Sequence, residues 1–488
     1  MQKRCGFLTI CLLMTLTASA PAASRPNVVL VLADDLGWGD LACFGSPEVK
    51  TPHLDRFASQ GLRLTSCYAA AANCSPARAG LMTGRTPYRV GVYTAIPMLS
   101  PMHLRAEEIT IARLLASAGY QTCHVGKWHL NGMFNLPGQP QPSDHGFGHW
   151  FSTQNNCLPN HLNPYNFVRD SIPMGPIEGY ASSIVVDEAV RWLRDDRAPE
   201  QPFFMYLCFH EPHEPIQTAP KFASLYDFPD DPSRVAHHGN ISQMDDAFGR
   251  LMQALDDLRL AENTLVWFTS DNGPERTKWH NTGSTGGLRE YKGNVYEGGI
   301  RVPGMIRWPG HTPAGGTSDT PVCGTDFLPT VCAVTGIEPP RDRKIDGENV
   351  RPLLDGQTFD RRRPLYWQFN FAHSEPCVAM RDGDWKVVAR LSEAPQRTGS
   401  VTAEANRMLK EARLKSYELY NLANDRGETT DLASREPQRL DTIVAKLEPQ
   451  FADVQREAPV WPEWQDPGYE RQRINWPDYL AKPLKKAK

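Results

Sequence analysis

Asn27-Val-Val-Leu-Val-Leu-Ala33, broken off by Asp34-Asp35, is the stretch that decides the fold. A continuous apolar run with β-branched residues marks a strand buried on both faces, as in a parallel sheet; a half-exposed strand would alternate. The same grammar returns at Leu265–Ser270, which ends in Asp271-Asn272, and at Pro202–Phe209, which ends in His210-Glu211-Pro212-His213. A shorter case is Tyr120–Val125, followed by Gly126-Lys127-Trp128-His129. Helical patterns lie between, at Ile109–Gly119, Ser182–Asp195 and Ile241–Leu260. Strands alternating with helices predict an α/β sandwich around a large, mostly parallel central sheet. In such sheets the ligand site lies off the carboxyl ends of the strands, where all four polar clusters fall.

With 488 residues the chain is long enough for one large domain and a smaller one. Its 52 basic and 56 acidic residues leave a net charge of -4, no global reason to expect nucleic acid or an anionic membrane as partner. Lys3 and Arg4 precede an apolar run from Gly6 to Leu16, and Ala18-Ser19-Ala20 offers a small-residue cleavage site. This predicts a signal peptide over 1–23, export to the periplasm or outside, and no membrane anchor, the run being too short to span. A catalytic domain is expected over 24–360.

Beyond it, Pro364–Phe369, Val378–Ala389 and Tyr417–Leu422 read as short strands, with a hairpin at Arg381-Asp382-Gly383-Asp384. A helix near Glu436–Glu457 follows. Residues 361–488 are therefore expected to form a smaller α+β subdomain with a short antiparallel sheet. The Trp- and Pro-rich end and the Leu484–Lys488 tail read as wrapping and solvated segments without function. The nine cysteines from Cys43 to Cys377 show no framework spacing, and their odd number leaves at least one unpaired.

The strand-end clusters supply a chemistry. Asp34, Asp35, Asp271 and Asn272 are oxygen ligands without His or Cys among them, which suits a hard cation, Ca2+ by preference and Mg2+ next. One Asp-Asp pair alone is as readily a cap or turn; the matching Asp-Asn at a second strand end argues for a site. Lys127 and His129, two apart, share a face of an extended segment. Arg78 lies one helical turn after Cys74. Lys292 sits in the glycine-rich Tyr291–Gly299 stretch, where backbone can approach a ligand closely. Arg78, Lys127 and Lys292 with a divalent cation make a local trap for a tetrahedral oxyanion such as sulfate or phosphate. His129 and His213, with His210 less favoured, are placed for proton transfer. Cys74, followed by Pro76 and small residues, enters a helix N-terminus facing that site.

Cys74-Ser75-Pro76-Ala77-Arg78, continued by Leu81-Met-Thr-Gly-Arg85, resembles the signature of the type I, formylglycine-dependent sulfatases. The resemblance extends through Pro26–Asp40, Gly126–Leu130, Ser270–Gly273, Lys292 to Arg301 and Tyr417–Leu422. Around Lys292 and Pro212-His213-Glu214-Pro215 it is most similar to the N-acetylgalactosamine-6-sulfatase and arylsulfatase A branches. It implies an alkaline-phosphatase-like sandwich, and oxidation of Cys74 to Cα-formylglycine by a formylglycine-generating maturation enzyme. Hydrated to a geminal diol, that residue attacks sulfur with one hydroxyl and expels sulfate with the other.

Carried over by position, the resemblance implies that Asp34, Asp35, Asp271, Asn272 and residue 74 bind Ca2+. Arg78 orients the diol, Lys127 and Lys292 grip sulfate oxygens, His129 assists collapse, and His213 serves the leaving oxygen; His210 makes that last assignment less certain. The implied substrate is a sulfated carbohydrate, with a galactose- or N-acetylgalactosamine-type 6-sulfate as the first expectation. Other sugar positions and aryl sulfates remain alternatives. A phosphatase or phosphodiesterase of the same superfamily would carry a Ser or Thr nucleophile and His-rich two-zinc clusters, and the sequence shows neither. Pro97–Arg105, Asn155–Arg169 and Arg234–His238 are candidate sugar-contacting loops.

Overall fold

The structure, a computed structural model, describes residues 25–277, 281–372, 375–393 and 399–477. The expected signal peptide and the Leu484–Lys488 tail lie outside the described residues. The strands run in chain order as β1 (Asn27–Asp34), β2 (Leu62–Leu64), β3 (Cys67–Tyr68), β4 (Gln121–Lys127), β5 (His149–Thr153) and β6 (Val168–Arg169). They continue as β7 (Ile172–Pro173), β8 (Phe203–Pro212), β9 (Thr264–Ser270), β10 (Gly304–Arg307), β11 (Gly316–Ser318) and β12 (Val322–Cys323). The last four are β13 (Leu365–Phe369), β14 (Cys377–Asp382), β15 (Trp385–Leu391) and β16 (Leu414–Asn421).

Every residue of β1 is buried, and its side chains divide between two cores. Val28, Leu30 and Leu32 enter one, while Val29, Val31 and Ala33 enter the other. Burial of each such Val or Leu is worth roughly 1.5–3 kcal/mol, which is why a strand with two cores carries only apolar residues between Asn27 and Asp34. The strand lies inside a ten-stranded sheet of order β11-β2-β10-β9-β1-β8-β4-β5-β6-β7. Its centre, β9-β1-β8-β4-β5, is wholly parallel, as the apolar runs predict. Within the sheet only β10 and β6 run against the rest. Helices Cys74–Thr83, Ile111–Ser117 and Phe327–Thr335 pack on one face, and Pro52–Gln60, Ala181–Arg191 and Pro232–Asp257 on the other.

Helix Pro232–Asp257 starts well before the expected Ile241. Asp231 caps it by accepting the Arg234 N–H, and Pro232 fills the first turn, where its missing donor costs nothing. Arg234–His238, expected as a loop, is therefore helical. Arg234 pairs with Glu48, and His238 Nε2 lies 3.2 Å from Glu48 Oε2.

The C-terminal region is the expected antiparallel sheet, ordered β13-β14-β15-β16, with Gly383 at φ +62 in its Arg381–Asp384 hairpin. Trp367, Phe369, Val388 and Tyr420 pack toward Tyr68, Ala70, Ala72 and Tyr296 of the larger sandwich. Val378, Met380 and Val387 share the other core with Ile443, Leu447 and Phe451 of helix Pro437–Glu457. A buried ionic network crosses the junction. Lys386 Nζ pairs with Glu297 Oε1 at 3.0 Å and Glu428 Oε1 at 2.9 Å. Glu297 Oε2 takes Arg301 at 3.1 Å and the Tyr68 hydroxyl at 2.7 Å. The nine described cysteines are all free thiols. No helix among the described residues is long and apolar enough to cross a membrane.

At the sheet's far side, His149 of β5 reaches Asp170 Oδ2 at 2.9 Å and Glu188 Oε1 at 3.1 Å with its two ring nitrogens. Burial opposes its charge, yet the two carboxylates lift its pKa from 6.5 to about 9. A raised folded-state pKa contributes stability fully present below 6.5 and lost as pH rises through about 9. The Tm difference between the wild type and His149→Gln is therefore expected to shrink steadily from pH 6.5 to pH 9; a constant difference refutes the charged pairing.

Candidate active site

The strand order β9-β1-β8-β4 sets four carboxyl ends side by side. From them emerge Asp271 and Asn272, Asp34 and Asp35, His213, and Lys127. A register shift between Leu32 and Asp34 places Asp34 opposite Pro212, and Asp35 follows at φ 64, an uncommon conformation for a residue with a side chain. That turn is held because the Asp35 N–H donates to Asp271 Oδ1 at 3.2 Å and Asn272 Nδ2 donates to Asp35 Oδ1 at 2.6 Å. Two glycines permit the close approach. A Cβ on Gly126 (φ +99) would lie 1.8 Å from the Cys208 carbonyl oxygen, and one on Gly273 would lie 1.9 Å from that of Gly298.

Each buried carboxylate has a buried cation. Lys127 Nζ donates to Asp34 Oδ2 at 2.6 Å, and Lys292 Nζ to Asp35 Oδ2 at 2.8 Å. Arg78 donates to Asp271 Oδ2 from Nε at 3.0 Å and Nη2 at 2.7 Å, and from Nη1 to the Lys127 carbonyl at 2.9 Å. Lys292 also meets Glu275 at 2.9 Å. Its loop is stitched to the Cys74 segment by the Gly293 N–H on the Ala72 carbonyl, 2.8 Å. Burial works against the Asp34 charge, but Lys127, His213, Arg78 and Lys292 hold its carboxyl well below the usual range. Burial raises Asp35 despite Lys292, and burial with the neighbouring Asp34 pushes Asp271 to about 7.

Cys74 opens the helix Cys74–Thr83, so Cys74 and Arg78 stand one turn apart as the spacing predicts. Asn73 caps it: its Oδ1 accepts from the Cys74 N–H at 2.8 Å and lies 3.2 Å from Sγ. All ten residues of this helix are buried, partly beneath Phe327, Leu328 and Val331. Burial, outweighing Lys127 and Lys292, pushes the Cys74 thiol to about 11, so it is un-ionised at neutral pH and a poor nucleophile.

The donor set fits a hard divalent cation. Ligand atoms of Asp34, Cys74 and Asp271 lie within 4.8 Å of one another, as do those of Asp34, Asp35 and His213. Asp34 Oδ1 and Asn272 Oδ1, at the ends of the paired strands β1 and β9, are buried acceptors with no hydrogen-bond partner. A cation among these oxygens would supply their missing partner and relieve the crowded carboxylates.

The histidines divide. β4 ends at Lys127 and His129 turns to φ 55, so the two do not share a strand face as expected. His129 Nε2 instead donates to the Ile96 carbonyl at 3.2 Å, which leaves Nδ1 a buried lone pair without a partner. Burial, then Lys127 and Arg78, holds this ring well below pH 6.5 and neutral. His213 keeps its proton on Nδ1, bonded to the Glu214 carbonyl, and directs Nε2 to 3.6 Å from Asp35 Oδ2. Burial and Lys292 lower it to about 3. His210 lies within β8, its Nε2 2.8 Å from Thr153 Oγ1, packed beside Phe167 and His161. The structure thus brings Asp34, Asp35, Cys74, Arg78, Lys127, His213, Asp271, Asn272 and Lys292 into one cluster, and sets His210 to its side.

A cavity of about 520 Å³ opens beyond Asn73 and His129. Pro97, Met98 and Asn155, from two expected sugar-contacting loops, line it. So do Asp466, Gly468, Glu470 and Arg471, from the end read as mere wrapping. The signal for this was slight: one acid-and-arginine cluster in a Trp/Pro-rich segment, with no periodicity to place it.

The sequence model described as Sulfatase matches residues 26–337, and that described as N-sulphoglucosamine sulphohydrolase, C-terminal, matches residues 290–457. N-acetylgalactosamine-6-sulfatase of Canis lupus familiaris is 36% identical over 390 residues, 73% of this chain and 72% of its own. Arylsulfatase A of Homo sapiens is 33% identical over 466 residues, 86% of each chain. The crystal structure of Ps i-CgsB in complex with k-i-k-neocarrahexaose shares the fold at a TM-score of 0.77 and 26% identity, covering 92% of this chain and 97% of that one. A parallel sheet whose strand ends gather acid, base and a buried Cys-x-x-x-Arg helix, matched over these lengths, belongs to one family: the chain is a member of the sulfatase family, an enzyme that hydrolyses sulfate esters.

Proposed function

We propose that the substrate is a sulfated carbohydrate, a galactose- or N-acetylgalactosamine-type 6-sulfate first, and that Cys74 acts only after conversion to formylglycine by a maturation enzyme. The observation that carries the mechanism is the charge count at the strand ends. Asp34, Asp35 and Asp271 are matched by Arg78, Lys127 and Lys292, with all six side chains at most 6% exposed. A divalent cation added to that balance leaves the site net positive, as a sulfate ester requires. The sulfatase family match over residues 26–337, which includes Cys74, supports the conversion, and the saccharide reading draws on the relatives named above.

Asp34, Asp35, Asp271, Asn272 and residue 74 would hold Ca2+, which would supply positive charge to the sulfate oxygens and to the oxygen nucleophile of residue 74. The chain's own groups do the rest. Arg78, fixed on Asp271 and the Lys127 carbonyl, orients residue 74 from one helical turn away. Lys127 and Lys292 exchange part of their carboxylate contact for sulfate oxygens. His129 Nδ1, the orphaned lone pair, takes a proton from a hydroxyl on residue 74. His213 Nε2 serves the leaving oxygen; a bound anion beside Lys292 offsets the repulsion that keeps this ring uncharged. His210, whose Nε2 lies 2.8 Å from Thr153 Oγ1, stays the less favoured candidate for that role.

Peptide mass analysis around Cys74, in protein from its own host, is expected to find formylglycine; an unmodified thiol in active enzyme sinks the mechanism. Sulfate, not phosphate, is expected to be released from matched esters. Cys74→Ala should fold normally and lose turnover. His129→Gln is expected to lower kcat by roughly 10²–10⁴-fold with KM nearly unchanged. Chelation is expected to abolish activity, and Ca2+ to restore it.

A further inference from the structure

The cavity beyond His129 is more than an approach to the reacting group. One wall is the loop around Ile96, whose carbonyl orients the His129 ring. The facing wall is the C-terminal segment Asp466–Arg471. That segment is docked on both parts of the molecule. Glu470 accepts from Asn155 Nδ2 at 2.9 Å and from the Asn156 N–H at 3.1 Å, both on the catalytic side. Val401 and Trp464 bridge to each other, and the Asp466 N–H donates to Ser400 Oγ at 2.9 Å. The wall is thus built in place.

Its charges are not equivalent. Both Glu470 oxygens are spent on docking, and Asp466 accepts from the Gly468 N–H at 2.8 Å and Arg471 Nη2 at 3.1 Å. Arg471 is the only Lys or Arg among the described residues lining the cavity. Its side chain is 72% exposed and tethered by that single contact, which leaves most of its donor fork open. Phe371 adds an aromatic surface, on which a sugar ring can stack.

We propose that this cavity is the subsite for the sugar next to the sulfated one, and that Arg471 determines specificity there by pairing with an acidic substituent of that sugar. This rests on the sulfated-carbohydrate reading above. A carboxylate and a second sulfate share the recognising chemistry, a pair of anionic oxygens offered to the two-pronged donor edge of a guanidinium. Asp466 is a positioning residue that aims the fork.

The test compares the wild type with Arg471→Ala and Arg471→Lys on four substrates. These are 4-nitrophenyl sulfate and three disaccharides that carry the same sulfated unit, joined to a neutral sugar, a uronate or a second sulfated sugar. Arg471→Ala is expected to lower kcat/KM on one or both acidic disaccharides by roughly two- to fivefold, the scale of a solvated ion pair. Turnover of 4-nitrophenyl sulfate and of the neutral disaccharide should be unchanged, and Arg471→Lys should recover part of the loss. Loss on the uronate alone identifies a carboxylate, and loss on the disulfated compound alone identifies a sulfate. Equal loss on all four substrates, or none on the acidic pair, overturns the subsite alone. A wild type that turns over 4-nitrophenyl sulfate but no disaccharide overturns the subsite together with the carbohydrate reading.

Discussion

The mutual neutralisation of three carboxylates and three cations, all taken out of water, is the constraint on which the site depends. A single buried charge is expensive; a buried pair is tolerable only when its geometry is good and its remaining atoms are bonded. Lys127 on Asp34, Lys292 on Asp35 and the forked Arg78 on Asp271 meet the geometric part of that requirement from five separate parts of the chain. The register shift at the end of β1, the positive φ of Asp35 and the glycines at 126 and 273 follow from it. They are what the backbone must do to bring six charges within reach of each other. The two oxygens left over, on Asp34 and Asn272, are where the arrangement stays incomplete without a ligand.

Much of this was legible in the sequence because the relevant signals are one-dimensional. A strand with a core on each face has no room for alternation, so β1, β8 and β9 announce themselves, although β8 runs on through His210 to Pro212, past the end of its apolar run. One helical turn between Cys74 and Arg78 is likewise a matter of counting. The edge of the sheet was not legible: β6, β7 and β11 are two or three residues long, too short for any period to show. The start of helix Pro232–Asp257 was missed although Asp231-Pro232 is a regular cap, since its first turns are polar and Ile241 begins the apolar pattern. His129 illustrates a different limit. Its spacing from Lys127 suggested a shared face, but a left-handed turn redirected the ring to the Ile96 carbonyl. The cavity wall from Asp466 to Arg471 is set by contacts across hundreds of residues, such as Glu470 on Asn155, and no local pattern carries them.

The junction between the two sheets is as tightly tied as the site itself. Glu297 follows the Lys292 loop by a few residues and is shared between Arg301 and Lys386 of β15. The C-terminal sheet therefore buttresses the loop that carries one of the three site cations. The overlap of the two matched sequence regions, 26–337 and 290–457, falls on this stretch. A boundary drawn between a catalytic unit and an accessory one would cut through shared bonds.

The complete burial of helix Cys74–Thr83 also sets an order of events. The lid over it is made late: helix Phe327–Thr335 and Trp367, whose Nε1 donates to the Ala69 carbonyl at 2.8 Å, lie some 250 to 300 residues downstream in the growing chain. Until those residues have been synthesised and packed, the segment around Cys74 stays within reach of another protein; afterwards it is sealed. Any covalent change to that cysteine by a second enzyme has a deadline, and its length is written in the distance along the chain between the residue and its cover.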